Sequence, residues 1–89
     1  MEGMTIGKRI KMLLVVLGIT QKQMADLLDI DRSRMNKIAN GKRSATTWEL
    51  IMVSRHLGVP VEYLIGEDGR FRLFDSMLET LYEKGNVLW

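Results

Sequence analysis

The side chains best suited to chemistry lie in residues 31–43, where cations and amides are concentrated. Four of the polar side chains share one face at helical spacing: Arg32, Ser33, Asn36 and Lys37. Met35 and Ile38 are the only large apolar residues of this helix, so it would place one narrow face on a core and expose a basic, amide-rich face. Such a helix fits the width and the hydrogen-bonding groups of a DNA major groove.

The remaining composition argues against catalysis. The chain has no cysteine, which excludes a disulfide framework and a thiolate zinc site. His56 is the single histidine, so a multi-histidine metal site is excluded and little is left for a nucleophile–base pair. No paired-acid or triad spacing stands out, and Gly7-Lys8 lacks the upstream glycine of a phosphate loop. We therefore expect no enzyme, no metal and no cofactor.

Charge is unevenly distributed along the 89 residues, although the net charge is only +2. Residues 1–47 carry nine Lys or Arg and four Asp or Glu, for a charge of +5, whereas residues 48–89 sum to −3. This division favours one surface that faces a polyanion and a second surface with another task. The longest apolar run has six residues, far fewer than the roughly 20 that cross a bilayer. With no signal-peptide pattern, a cytoplasmic protein without a membrane segment is expected.

Helical periodicity predicts an all-α fold, and strand alternation is absent. An apolar stripe begins the first helix at Ile6 and continues to Leu17, before the stop signal Gly18. Capping boxes at residues 20–23 and 46–49 begin the second and fourth helices, and Asp31 is a good N-cap for the third. A short fifth helix with Val61, Leu64 and Ile65 inward would end the first unit, residues 1–66.

The remaining residues, 67–89, contain a linker and an amphipathic sixth helix with Gly85 as its expected stop. The residues predicted to bury its stripe, or to meet a partner, are Phe71, Phe74, Met77, Leu78, Leu81, Tyr82 and Trp89. A lone amphipathic helix must cover its stripe with something. It can close over Val15 and Val16 of the first helix, or it can pair with a second copy of the chain.

Several motifs in one register resemble a known family. They are IGKRI at 6–10, GITQ at 18–21, MADLL at 24–28, IANGKR at 38–43, LGV at 57–59 and LIG at 64–66. With these motifs, residues 5–66 resemble the lambda repressor and Cro type of helix-turn-helix domain, also called the xenobiotic-response-element family. The resemblance implies a five-helix DNA-binding domain, to which the sixth helix is an addition.

The resemblance also implies roles for individual residues. Positions matching base contacts of the recognition helix are Arg32, Ser33 and Lys37, with Asn36 beside them. Positions matching phosphate contacts are Gln21, Asn40, Lys42 and Arg43. We add Arg34 to the phosphate contacts because it lies at the rim of the exposed face. The chemistry agrees, since amides and cations suit phosphate oxygens and a bidentate arginine suits guanine.

One departure from the family pattern concerns a partly buried ion pair. Many members place an arginine in the first helix and a glutamate late in the recognition helix, where this chain has Leu14 and Ala39. Because both charges are absent together, no buried charge is left without a partner, and the fold need not be weaker.

The expected function is sequence-specific binding to double-stranded DNA by a homodimeric transcriptional repressor. Its third helix would enter the major groove, and its C-terminal helix would join two copies. The alternative is an antitoxin or another protein-interaction module whose C-terminal helix covers a partner protein.

Overall fold

A computed structural model describes residues 5–66 and 69–88 of the chain, with the side chains of residues 86–88 left out. Across these residues the fold is all-helical and contains no strand, as the periodicity predicted. The six helices are α1 (Ile6–Leu17), α2 (Gln21–Leu28), α3 (Arg32–Ala39), α4 (Thr47–Leu57), α5 (Val61–Ile65) and α6 (Arg72–Leu88).

The predicted N-caps begin α2, α3 and α4 where expected. Thr20 and Thr46 each accept a hydrogen bond from the backbone N–H three residues on, and the side chains of Gln23 and Glu49 complete the two capping boxes. The Asp31 carboxylate accepts from the backbone N–H of Arg34 at 2.7 Å and begins α3. These local bonds satisfy N–H groups that have no partner inside a helix.

A small core lies between α1 and the α2–α3 pair, with α4 and α5 closing its other sides. Ile10, Met24, Met35 and Leu64 are fully buried in it. Gly7 of α1 permits the closest approach, because a Cβ there would collide with the carbonyl oxygen of Ile38. The first helix therefore lies directly against the carboxyl end of α3 and supports it from behind.

The sixth helix packs on α1 of its own chain. Leu78 is buried there, and Phe71 and Tyr82 are partly buried against the same core. Arg9 of α1, which is only 4% exposed, donates its Nε and Nη2 groups to the Asp75 carboxylate at 3.1 and 3.0 Å. The sequence left two ways to cover the apolar stripe of α6. In the structure, α1 of the same chain covers the face of α6 that contains Leu78.

A residue of α5 also binds the carboxylate of this ion pair. The Tyr63 hydroxyl donates to Asp75 at 2.8 Å, and Arg9 also donates to the carbonyl oxygen of Leu64 at 3.2 Å. Burial alone would raise the pKa of Asp75, but the hydrogen bonds from Arg9 and Tyr63 outweigh it and lower that pKa below its ordinary value. The ion pair thus joins α1, α5 and α6.

Three expectations about side chains and helix ends were wrong. The sixth helix continues through Gly85 to Leu88, since one glycine costs a helix only about 1 kcal/mol. Ile65 is 45% exposed, and Tyr63 is buried in its place because its hydroxyl reaches Asp75. Leu17, the last residue of α1, is 49% exposed. None of the helices formed by the described residues is long and apolar enough to cross a membrane.

Candidate nucleic-acid interface

The outer face of α3 is open to solvent. All four side chains predicted to contact bases are exposed: Arg32, Ser33, Asn36 and Lys37. Met35, Ile38 and Ala39 are buried on the opposite face and fix the helix to the core. The division expected from the sequence, with a narrow apolar face and a wide polar face, is therefore present, and nothing among the described residues covers the polar face.

The turn between α2 and α3 sets the angle of the exposed helix. Asp29 ends α2 in the left-handed conformation with φ 56°, which is strained for a residue other than glycine. The next residue, Ile30, is half-buried against the core, and Asp31 then caps α3. Three residues thus connect α2 to α3, and Ile30 fixes the turn to the core.

A chain of side-chain amides joins α2 to the middle and the carboxyl end of α3. Asn40, the C-cap of α3, donates from Nδ2 to Oδ1 of Asn36 at 3.1 Å. Asn36 in turn donates from Nδ2 to Oε1 of Gln21, the first residue of α2, also at 3.1 Å. The three residues predicted to contact DNA from different elements are therefore already connected to one another.

Arg34 lies at the rim of α3 and is paired within the protein. Its Nε and Nη2 groups donate to the two carboxylate oxygens of Glu49 at 2.8 and 2.7 Å, a bidentate contact. Glu49 is 5% exposed and also accepts from the backbone N–H of Thr46. The bond from Arg34, helped by that of Thr46, lowers the pKa of Glu49 to about 2 in spite of burial. Arg34 therefore holds α3 against the amino end of α4, and its role as a phosphate contact stays a prediction.

The loop after α3 keeps its cations exposed. The backbone N–H groups of Lys42 and Arg43 donate to the carbonyl oxygen of Lys37 at 2.8 and 3.3 Å, so the loop folds back on the last turn of α3. Gly41 makes this possible with a φ of 74°. Lys42 and Arg43 thus extend the positive charge of the exposed face past the helix end.

At the two positions of the family's buried ion pair, this chain has buried apolar residues. Leu14 and Ala39 are both buried, at 2% and 3% exposure. Ion pairs occur elsewhere, between Arg34 and Glu49 and between Arg9 and Asp75. Sequence reasoning missed both pairs. The one available signal was Glu49 itself, a charged residue that the capping box places at the start of a helix facing the core.

The residues named for oligomerisation separate into two groups. Phe71, Leu78 and Tyr82 pack within the chain, so they are not available in this form to a partner. The exposed group, here called the α6 stripe, consists of Leu73, Phe74, Met77 and Leu81, which are 77%, 51%, 57% and 50% exposed. Leu73 was not among the predicted contacts, and Trp89 lies outside the described residues.

Within residues 5–66 and 69–88, no group of three or more His, Asp or Glu side chains is arranged to hold a metal ion.

Comparison with known proteins places this fold and this exposed helix in one class. Residues 10–64 match the helix-turn-helix family model, and the chain belongs to that family, of the Cro and C1 type. A particular relative is the HTH-type transcriptional regulator ImmR of Bacillus subtilis (strain 168), with 32% identity over 65 residues. That match covers 73% of this chain and 51% of ImmR, so the chain spans about half the length of this relative. No solved structure matches the chain significantly, and the narrower xenobiotic-response-element assignment stays a prediction.

Proposed function

We propose that the protein is a sequence-specific DNA-binding transcriptional regulator that represses its target by inserting α3 into the major groove. The observation that carries the proposal is the exposed polar face of α3, fixed by three buried residues on its other side. The family membership and a relative named as a transcriptional regulator support it. In this proposal residues 1–66 bind DNA and residues 67–89 serve oligomerisation.

Within α3, we assign base contacts to Arg32, Ser33 and Lys37. A bidentate arginine or a lysine suits the two acceptors of guanine, and a serine hydroxyl suits either kind of group. Phosphate contacts are assigned to Gln21, Asn40, Lys42 and Arg43, whose amides and cations lie at the start of α2 and beyond the end of α3. The hydrogen bonds of Arg34 and Asn36 within the protein favour other roles for these two.

The experiment is selection of duplexes from a random pool by the purified chain, followed by salt titration of the selected sequence. Arg32→Ala is expected to weaken binding by about 1–3 kcal/mol and to relax preference at one base pair. Lys42→Ala is expected to weaken all duplexes alike and to reduce the slope of log K against log salt by about 0.9. Arg55→Ala, which removes an exposed cation from the far end of α4, is the control and should change neither. Failure to enrich any sequence would contradict the proposal.

The protein is further proposed to act as a homodimer joined through the α6 stripe. A two-fold protein matches a palindromic site, and two copies double the contacts that one small domain can make. The α6 stripe consists of exposed apolar side chains at helical spacing, one of which, Phe74, also has its ring centroid 4.9 Å from that of Tyr63. A second copy would remove these four side chains from water.

Sedimentation of the purified chain tests the dimer. Met77→Glu places a charge within the α6 stripe and is expected to shift the protein to monomer. Ser76→Glu is the control, because it adds the same charge to the exposed side of α6 outside the stripe. A selected palindrome that Met77→Glu binds only as half-sites would agree with the proposal. A wild-type chain that is monomeric at micromolar concentration would favour the alternative, an antitoxin-like module whose partner protein covers the α6 stripe.

A further inference from the structure

In the amide chain from Asn40 through Asn36 to Gln21, both hydrogen bonds run the same way, and they leave donors free at Gln21. Each amide donates from its nitrogen to the oxygen of the next, at 3.1 Å in both steps. Both branches of the central amide, Asn36, are therefore engaged. Gln21, at the end of the chain, accepts through Oε1 and keeps both N–H groups of Nε2 as donors.

We propose that Asn36 is a positioning residue that orients the Gln21 amide toward a DNA phosphate, and that it does not read a base. This inference rests on the proposed function, and it replaces the base contact predicted for Asn36 from the sequence. Asparagine reads adenine by using its oxygen and its nitrogen together. In this protein the Asn36 oxygen accepts from Asn40 and its nitrogen donates to Gln21, so both atoms of that combination already have a partner within the protein.

The orientation of Gln21 matters because a phosphate only accepts hydrogen bonds. A glutamine amide can turn over, and in the reversed orientation it would present its oxygen to the phosphate, which is repulsive. The N–H group of Asn36 selects the orientation with Oε1 toward the protein and Nε2 toward solvent. Gln21 is also the first residue of α2, where free backbone N–H groups and the helix dipole favour an anion. The side chain and the backbone of Gln21 thus offer donors together.

Asn40, at the other end of the amide chain, ties the carboxyl end of the recognition helix to Asn36. Asn40 follows the last residue of α3 and precedes Lys42, so its amide is tied to the middle of α3 through Asn36. Gln21 belongs to the preceding helix. One side chain on the exposed face therefore fixes two amides on either side of it, and loss of Asn36 would free both without removing a direct DNA contact.

The test is a double-mutant cycle measured with the selected duplex and the full chain. Gln21→Ala and Asn36→Ala are each expected to weaken binding by roughly three- to tenfold, the net value of one typical hydrogen bond. The double variant should be weaker than Gln21→Ala by clearly less than the effect of Asn36→Ala alone, because Asn36 acts in part through Gln21. Asn36→Ala with Lys42→Ala is the control cycle, and its effects should multiply. Base preference should not change in Asn36→Ala.

Two results would overturn the inference while leaving the proposed function intact. The effects of Gln21→Ala and Asn36→Ala could multiply, or Asn36→Ala could relax preference at one base pair, which would make Asn36 a base contact. A wild-type chain that binds no duplex would instead refute the proposed function. NMR of the free protein gives a second readout: Asn36→Ala should shift the side-chain amide resonances of Gln21, whereas Ser33→Ala should not.

Discussion

The bidentate contact between Arg34 and Glu49 gives a prediction about stability and pH. Glu49→Gln keeps the shape of the side chain and an oxygen for the backbone N–H of Thr46, but it removes the charge that Arg34 meets. We expect this variant to fold and to be less stable than wild type at neutral pH. Because the change acts through a charge, the loss of stability should depend on pH.

The magnitude follows from the pKa of Glu49. A pKa lowered from 4.5 to about 2 corresponds to an upper limit of about 3 kcal/mol of stability when the carboxyl is ionised. The Arg34 side chain is 33% exposed, so solvent screens part of this, and we expect about 1–3 kcal/mol. Since the pKa is lower in the folded state, this stability is complete above pH 4.5 and disappears as the pH falls toward 2.

The assay is urea unfolding of wild type and Glu49→Gln, followed by circular dichroism, at a series of pH values between about 7 and 3. The difference in free energy of unfolding should be constant near neutrality and shrink progressively below about pH 5. Other carboxyls, including Asp75, titrate in both proteins and cancel in the difference. Glu79→Gln removes an exposed charge from α6 and is the matched control for the substitution. A difference between wild type and Glu49→Gln that stays the same down to pH 3 would refute the reasoning.

Three further stability changes follow from the contacts, each measured by urea unfolding. Gly7→Ala should destabilise the fold by about 1–3 kcal/mol, because its Cβ would overlap the carbonyl oxygen of Ile38; an unchanged midpoint would contradict the close approach. Asp29→Gly should stabilise by about 0.5–1 kcal/mol, since glycine adopts the left-handed conformation without strain, and a loss would mean that the Asp29 side chain matters. Asp75→Asn should destabilise by about 2–4 kcal/mol by leaving buried Arg9 without its anion, and a near-neutral effect would show that the pair adds little.

The helix ends could be predicted from the sequence because their causes are local. A capping box joins residues three positions apart, so Thr20 and Thr46 identify the starts of α2 and α4 without knowledge of the fold. The exposed face of α3 was predictable for the same reason, since helical spacing alone separates Met35 and Ile38 from the polar side chains. Gly85 shows the limit of local signals, because α6 passes through it.

The ion pairs could not be predicted because they depend on how distant elements pack. Arg9 and Asp75 are 66 positions apart, and each looks like an ordinary surface charge on an amphipathic helix. Arg34 likewise looked like one more cation of the exposed face, and only the placement of α4 beside α3 brings Glu49 within 2.7 Å of it. The amide chain is of the same kind, since Gln21 and Asn36 are 15 positions apart on two helices.

These pairs change what the charge asymmetry of the sequence means. Residues 1–47 carry a charge of +5, yet two of their cations, Arg9 and Arg34, are neutralised by acids from residues 48–89. Part of the asymmetry is therefore internal to the fold and offers nothing to a polyanion. The exposed cations of α3 and the loop after it are Arg32, Lys37, Lys42 and Arg43. If Arg32 and Lys37 contact bases and only Lys42 and Arg43 neutralise phosphates, one domain should have a salt slope of about −1.8, and a dimer about twice that. A steeper slope for one domain would mean that Arg32, Lys37, cations outside this face, or Arg34 released from Glu49, also reach phosphates.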